Sequence, residues 1–476
     1  MAITNKTIFE KLPLAFGVDL LDTDDRLDCA WFNPVFENKI EELRTAKRIN
    51  RKFTKLESIA DVNGGKRLPK GTVIQESETS VVPYIRATDI KNLKVNVGGA
   101  AKITKDIHQG IQNYQLKKDD VVITIVGTIG GVGILEKEME VCDFTENIAR
   151  VRTKDENVLP RFLLHFLDSE FGQIQTERFS VGSLQYKLSL KSCRNIEVYL
   201  PLSNDNFDIS EQKKILNSVY SIFDRVEVHR KTGQQLIDEA RSSIVKKIGL
   251  PLVEEDARSR IFEADLDDDP FARLDTLFNN PLREKLLSIL STYPNKKLGK
   301  LTKPQKENKI APTDYYRLVE LEQIDENTGR ITGVREVSEL GSAKILLRHG
   351  SILISKLQPE KGKVVIVNSE FDGCVGSSEL IPLVLDSSEV SAEYLWAILR
   401  SDYVLKQWEY ELTGSSRMRI GPNEINHTVI PIPDPKLQKE IVEEIRNKVE
   451  KSDNALNGAT QLFNEARNLF SSLLLE

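Results

Sequence analysis

The segment QKKILNSVYSIFDRVEVHRKTGQQLIDEARSSIVKKI, Gln212–Ile248, decides the fold of this chain of 476 residues. Its apolar residues recur mainly at steps of three and four, which places them on one face of a helix. The residues predicted for this face are Ile215, Val219, Phe223, Val226, Gly233, Ile237, Ala240 and Ile244. At about 1.5 Å per residue, such a helix would be about 55 Å long.

The same segment returns at the C-terminus, between Gln438 and Leu474. Gln212 corresponds to Gln438, and the tripeptide Glu-Ala-Arg at 239–241 corresponds to the same tripeptide at 465–467. Two helices with the same apolar face in the same register are candidates to pack on each other. The predicted interface residues are Ile215, Val219, Phe223, Ile237 and Ala240 in the first helix and Ile441, Ile445, Phe463, Ala466 and Phe470 in the second.

Other parts of the chain also occur twice. RLDCAWFNP at Arg26–Pro34 returns as RLDTLFNNP at Arg273–Pro281, and each copy precedes a helical pattern. Short β-rich runs bounded by Gly, Pro, Asn and Asp surround further helical segments in both halves. We therefore predict an α+β fold built by tandem duplication, in which a mixed α/β unit followed by a long helix occurs twice.

The repeats predict the domain boundaries. We assign an N-terminal arm to residues 1–25, a first mixed unit to 26–205 and a central helix to 206–250. An acidic linker at 251–272, a second mixed unit at 273–435 and a C-terminal helix at 436–476 complete the chain.

Composition limits the possible functions. A net charge of −6 does not indicate a uniformly basic nucleic-acid binder, although charge can be segregated to one face. The four cysteines are scattered, so neither a disulfide framework nor a zinc site is predicted, and a reducing cytoplasm fits. We found neither a signal peptide nor an apolar run of about 18 residues, so we expect a cytoplasmic protein without a membrane span.

The sequence contains no convincing catalytic constellation. It has no GxxxxGK[ST] phosphate-binding loop, and the glycines of GTIGGVG at 127–133 are predicted to form only a hairpin turn. The five histidines are far apart and form no HExxH pattern. We therefore expect a protein that is not an enzyme and binds neither a metal ion nor a cofactor.

Basic and amide side chains on loops are the remaining candidate site. They are Lys66, Arg67, Arg86, Gln185 and Lys187 in the first half, and Lys303, Lys306, Lys356, Arg417 and Arg419 in the second. Any one of these clusters can equally be a solvated surface. In both halves, however, a Gly-Ser loop precedes a basic side chain at the equivalent position, Lys187 and Arg419. Arginine, lysine and glutamine can read base edges, so we predict two DNA-binding surfaces.

At the level of motifs, the chain resembles the DNA-specificity subunit of type I restriction–modification systems. The resemblance rests on IEVYLP…EQKKI (196–215) with LIDEAR, on VIPIP…LQKEI (429–441) with LFNEAR, and on the two RLD…NP openings. It implies that each mixed unit is a target recognition domain for half of a split DNA site. It also implies that the two helices pair as an antiparallel coiled coil that sets the gap between the half-sites.

The resemblance further implies the partners. Such a subunit binds double-stranded DNA, has no catalysis of its own, and docks two methyltransferase subunits that motor-nuclease subunits then join. S-adenosylmethionine, ATP and Mg would be used by those partners. One departure is the stretch of 25 residues before the first unit. The alternative, which the acidic net charge favours slightly, is a duplicated scaffold of a related defence complex that reads no sequence. DNA binding that falls steeply with salt yet prefers one duplex would distinguish the two.

Overall fold

We describe the fold from a computed structural model, which describes residues 34–46, 50–69, 72, 80–139, 141–180, 186–251, 273, 275–306, 309–414 and 418–476. The chain divides into two compact units, which are Met1–Glu227 with Thr460–Glu476, and Val228–Ala459. The predicted N-terminal arm lies outside the described residues, as does the predicted acidic linker apart from Pro251. The domain boundaries drawn from the repeats stay a prediction.

Two helices are much longer than the others, as the repeated apolar pattern predicts. The α-helices are α1 (Pro34–Arg44), α2 (Leu56–Ile59), α3 (Lys105–Gln109), α4 (Pro160–Asp168), α5 (Glu170–Phe179), α6 (Leu190–Arg194), α7 (Ile209–Ile248), α8 (Pro281–Ser291), α9 (Ala392–Ile398), α10 (Asp402–Glu411), α11 (Pro422–His427) and α12 (Pro435–Leu475). The helices predicted from Gln212 and Gln438 are α7 and α12, which have 40 and 41 residues. None of the described helices is long and apolar enough to cross a membrane.

The same capping residue begins both long helices. The side chain of Asp208 accepts hydrogen bonds from the N–H groups of Ser210 and Glu211, at 2.8 and 3.1 Å. Asp434 does the same for Lys436 and Leu437, at 3.0 and 3.1 Å. An aspartate at this position satisfies N–H groups that have no partner within the helix, which explains why both helices begin there.

The strands of the first unit are short. They are β1 (Arg51–Lys55), β2 (Ala60–Gly64), β3 (Ser80–Ile85), β4 (Ile90–Lys91), β5 (Leu93–Val95), β6 (Ala101–Thr104), β7 (Val121–Thr124), β8 (Val132–Ile134), β9 (Asp143–Phe144), β10 (Ile148–Thr153), β11 (Glu197–Ser203) and β12 (Asn206–Phe207). The main sheet has the order β2-β10-β7-β8-β5-β4, and smaller sheets have the orders β6-β3-β9 and β1-β11-β12. A 3-10 helix covers Ala87–Asp89.

The second unit has a closely related set of sheets. Its strands are β13 (Asn295–Lys297), β14 (Thr302–Pro304), β15 (Tyr316–Val319), β16 (Ile324–Asp325), β17 (Arg330–Ile331), β18 (Arg335–Val337), β19 (Lys344–Leu346), β20 (Ile352–Ser355), β21 (Val364–Ile366), β22 (Val375–Ser377), β23 (Leu380–Leu385) and β24 (Val429–Pro431). The order β14-β23-β20-β21 parallels β2-β10-β7-β8 of the first unit. The remaining sheets are β18-β15-β22-β19, β13-β24 and β16-β17, and 3-10 helices cover Leu298–Lys300, Leu321–Gln323, Pro359–Lys361 and Ser369–Phe371.

The main sheets supply much of each core. All four residues of β7 and all four of β20 are buried, because each strand lies between two neighbours and both faces of its sheet are covered. The loop GTIGGVG joins β7 to β8, which pair antiparallel, and Gly127 and Gly130 have positive φ angles of 83° and 81°. The hairpin turn predicted from these glycines is therefore confirmed. The prediction of a mixed α-helical and β-sheet fold is confirmed as well.

Within the first unit, the N-terminal part of α7 packs against the C-terminal part of α12. Phe223 meets Phe463 edge to face, with ring centroids 5.7 Å apart. Phe470 lies 5.4 Å from the ring of Phe162 on α4. The predicted interface residues Ile215, Val219, Ala466 and Phe470 are buried in this unit.

Within the second unit, the C-terminal part of α7 packs against the N-terminal part of α12. The Ser452 hydroxyl donates to the carbonyl oxygen of Gly233 at 2.8 Å, and Lys448 lies 3.3 Å from Glu239. Lys247 of α7 lies 3.0 Å from Glu444. The predicted interface residues Ile237, Ala240, Ile441 and Ile445 are buried. In the second unit the two helix segments run antiparallel, since the partner's number falls along α12 as the number along α7 rises.

Candidate nucleic-acid interface

Several polar loops lie at one end of the main sheet in the first unit. Gly64 at the end of β2 pairs with Ala149, and Ile148 at the start of β10 pairs with Thr124 at the end of β7. Residues 65–69, 145–147 and 125–126 therefore leave the sheet at the same end. We call this set of loops the first polar edge.

A glycine makes the position of Lys66 and Arg67 possible. A Cβ atom at Gly65 would lie 2.2 Å from the carbonyl oxygen of Phe144, so only glycine lets the loop pass this close to the neighbouring backbone. The Lys66 N–H donates to the Phe144 oxygen at 3.0 Å, and the Tyr84 hydroxyl donates to the Lys66 oxygen at 2.8 Å. These contacts hold the loop that carries both predicted basic residues.

A groove of about 390 Å³ lies beside this loop. Its polar lining comes from Arg67, Tyr84, Arg86, Thr88, Glu146 and Asn147. The structure thus brings together Arg67 and Arg86, which the sequence places on different loops. The ammonium nitrogen of Lys66, on the same loop as Arg67, lies 5.8 Å from the centroid of the Tyr114 ring.

Carboxylates hold both arginines of the groove. Arg67 has a side chain that is 81% exposed, and its Nε lies 2.5 Å from Glu146 Oε1. Arg86 Nε lies 3.2 Å from Oδ2 of Asp89, which is nearly buried. Partial burial acts against ionisation of Glu146, but hydrogen bonds from Arg67 and Thr145 outweigh it and hold its pKa below the usual value. An exposed ion pair is weak because water screens it, so the carboxylate does not commit Arg67 to this one partner.

The second unit has a corresponding polar edge, formed by residues 356–357 and 378–379 together with Arg419, because Ser355 at the end of β20 pairs with Leu380 at the start of β23. Arg419 makes a bidentate ion pair with Glu379, with Nη2 and Nε at 2.9 and 3.1 Å from the two carboxylate oxygens. Lys356 donates its ammonium group to the Ser378 carbonyl oxygen at 2.6 Å. Lys356 and Arg419, which are separate in sequence, are therefore neighbours in this edge.

The remaining predicted residues have varied positions. Lys187 forms a backbone bridge with Val126 at the first polar edge. Lys303 on β14 is exposed and lies 2.6 Å from Asp386, and Lys306 is exposed shortly after the same strand. Gln185 and Arg417 lie outside the described residues. The role of all ten residues in DNA binding stays a prediction.

The sequence analysis missed the acidic and amide residues of the two edges, namely Glu146, Asn147 and Glu379. A sequence signal exists for two of them. An offset of 232 relates Cys142 to Cys374 and Lys187 to Arg419, and the same offset places Asn147 opposite Glu379. Within the described parts of the chain, no three His, Cys, Asp or Glu side chains are grouped in a way that could hold a metal ion.

Comparison with known proteins finds a matching family and two similar relatives. Residues 49–237 match the family described as "Type I restriction modification DNA specificity domain". The chain is 28% identical over 169 residues to the type I restriction enzyme EcoBI specificity subunit of Escherichia coli, which is 35% of this chain and 34% of the relative. It is 24% identical over 203 residues to the MjaVIII specificity subunit of Methanocaldococcus jannaschii, which is 40% of this chain and 43% of the relative. The matches thus span less than half of the length of either relative.

Comparison with solved structures gives matches of low TM-score. The S subunit of a type I restriction–modification system from M. genitalium is 14% identical, with 91% of this chain and 98% of that chain covered and a TM-score of 0.37. At this score the structural likeness supports no conclusion about fold or function. The match of residues 49–237 and the two relatives confirm the resemblance to the DNA-specificity subunit of type I restriction–modification systems that the motifs predict.

Proposed function

We propose that the chain is the sequence-specific DNA-binding subunit of a type I restriction–modification complex and reads a bipartite DNA site. The observation that carries this proposal is the match of residues 49–237 to the DNA specificity domain of such systems. The first polar edge adds a physical basis, since two arginines and an asparagine line one groove. Arginine can pair with guanine and asparagine with adenine, whereas contacts to phosphate supply affinity.

The second unit serves as a second reader in this proposal, so that the chain is a tandem duplication. Equivalent buried glutamines support it. In the first unit, Gln175 accepts from the Glu197 N–H at 2.7 Å and donates to the carbonyl oxygen of the same residue at 2.9 Å. In the second, Gln407 makes the same two bonds with Val429, at 2.7 and 3.0 Å. The parallel strand orders of the main sheets support the same inference.

The two long helices pair as an antiparallel coiled coil in this proposal and set the gap between the half-sites. Its support is the antiparallel packing of their segments within the second unit, the contact of Phe223 with Phe463 in the first, and the burial of most predicted interface residues. Helices of 40 and 41 residues would be about 60 Å long, which exceeds the roughly 34 Å of one turn of B-DNA. A rigid pair of this length is suited to fixing a spacing.

The chain itself carries out no catalysis in this proposal. It docks two methyltransferase subunits and the motor-nuclease subunits, which use S-adenosylmethionine, ATP and Mg, and the complex acts on double-stranded DNA in the cytoplasm. The relatives support this assignment, since both are named as specificity subunits of type I restriction enzymes.

A methylome tests the proposal directly. Genomic DNA is compared between cells with and without this chain, with the partner methyltransferase present in both. We expect a split motif of modified adenines that disappears when the chain is absent, and this motif would give both half-sites and their gap. An unchanged methylome, together with binding of the purified chain to random duplexes without preference, would refute sequence reading and favour a scaffold.

A further inference from the structure

We propose that one pair of side chains in each unit reads the same position of the two half-sites and makes the half-sites differ there. The pair is Asn147 with Lys187 in the first unit and Glu379 with Arg419 in the second. We infer that the first half-site has an A·T base pair at this position and the second has a G·C base pair. This inference rests on the proposed function.

The backbone around the first pair is fixed by hydrogen bonds. The Ile125 N–H donates to the Asn147 carbonyl oxygen at 2.9 Å, and the Leu188 N–H donates to the Ile125 oxygen at 2.9 Å. Val126 and Lys187 form an isolated antiparallel bridge. Asn147 and Lys187 therefore flank the segment that follows β7, one on each side.

The backbone around the second pair repeats this pattern. The Lys356 N–H donates to the Glu379 oxygen at 2.8 Å, and the Ile420 N–H donates to the Lys356 oxygen at 3.0 Å. Leu357 and Arg419 form the corresponding isolated antiparallel bridge. The two positions thus have the same main-chain setting in both units, and the chemistry of the side chains is what differs.

Each pair of side chains suits a different base pair. A G·C pair offers the acceptors N7 and O6 of guanine beside the N4 amino group of cytosine in the major groove. An arginine can donate to the first two, and a glutamate can accept from the third. An A·T pair offers adenine N6 and N7, which match the amide of asparagine, and thymine O4, which a lysine can approach. The second unit therefore fits G·C and the first fits A·T.

The state of the second pair favours reading over a purely structural role. The Arg419 side chain is 43% exposed and that of Glu379 is 33% exposed, so both are accessible to DNA. The Nη2–H group of the arginine donates to Oε1 of Glu379 and its Nε–H group donates to Oε2, and this planar geometry is the one with which arginine binds two adjacent acceptors. The carboxylate holds the guanidinium plane in one orientation before DNA arrives, which reduces the entropy lost on binding.

The test is a selection of random DNA duplexes by the purified full-length chain. Wild type is compared with E379N/R419K and with N147E/K187R, which exchange the pairs between the units. R446K/E393N is the matched control, because Arg446 and Glu393 form another exposed ion pair, at 3.3 Å. We expect E379N/R419K to lose a preference of about 5-fold to about 150-fold for G·C at one position and to prefer A·T there. N147E/K187R should make the opposite change in the other half-site, and the control should select the wild-type motif.

The outcomes separate the inference from the proposed function. If wild type selects no split motif, the proposed function fails and the inference fails with it. The second outcome is that wild type selects a split motif and that both exchange variants still select this wild-type motif. The proposed function then stands, and the inference is overturned. A variant that binds neither half-site has lost its fold. In that case E379Q is tested, because it keeps the shape of the side chain and removes its charge. We expect E379Q to lower the preference for G·C at least about 5-fold. An unchanged preference overturns the inference.

Discussion

Replacing Gln438 by alanine should destabilise the second unit by about 1 to 3 kcal/mol. The side chain of this residue is buried next to the start of α12. Its Nε2 donates to the carbonyl oxygens of Glu389 and Pro433, at 2.8 and 3.0 Å, and its Oε1 accepts from the Ser391 N–H at 3.3 Å. One amide thereby ties the loop before α9 to the long helix.

The magnitude follows from the groups that lose their partners. Alanine would leave the two carbonyl oxygens without this donor and the N–H without an acceptor. A buried polar group without a hydrogen bond costs about 1 to 3 kcal/mol. We count one such group, the Pro433 oxygen, because Glu389 is exposed and water can reach its carbonyl oxygen, and because the 3.3 Å bond from Ser391 is long.

The loss of unfolding free energy is measured by urea unfolding that is monitored by tryptophan fluorescence, because Trp396 and Trp408 are buried in the second unit. The control is Gln235→Ala on α7 of the same unit, where the glutamine is exposed and the change should stay within about 0.5 kcal/mol. A loss below about 1 kcal/mol for Gln438→Ala would refute the reasoning.

Gln212 makes the corresponding bonds with Asn157 and Leu159, at 2.8 and 2.9 Å, so Gln212→Ala should speed amide exchange of the Leu159 segment in the first unit.

Three further predictions concern the first unit and the long helices. Gly65→Ala should abolish recognition of one half-site in duplex selection, because the new Cβ would collide with the Phe144 carbonyl oxygen. The control Gly341→Ala, whose Cβ meets no neighbour, should select the wild-type motif. Burial lowers the pKa of His165 to about 4, so the stability that its neutral ring provides is complete above pH 6.5 and is lost as the pH falls through about 4. Unfolding should show a loss of up to about 3 kcal/mol over this range, and His165→Phe should remove it; an equal slope in the variant would contradict this account. Inserting four residues into each long helix beside the Glu239–Lys448 pair should change the gap of the recognised site but not its half-sites, and an unchanged gap would disprove the spacing role.

The repeated Glu-Ala-Arg tripeptide predicts positions on the two long helices but not the partners of its arginines. It correctly marks equivalent places on α7 and α12, yet the two arginines have different partners. Arg467 forms an ion pair with Asp168 at 3.1 Å, whereas Arg241 donates to the carbonyl oxygen of Glu326 at 2.9 Å. The partner of Arg467 lies about 300 residues away along the chain, so no local pattern could have identified it.

The sequence by itself determined the two long helices, the mixed α/β class and the family resemblance. These properties follow from local periodicity and from repeated motifs, which are visible without knowing what packs against what. Only the tertiary structure decided which loops meet at the polar edges and that Glu146, Asn147 and Glu379 belong to them. The physical reason is that strands from distant parts of the chain end side by side, so that their pairing register, and not their order in the sequence, brings Arg67 to Glu146 and Arg419 to Glu379.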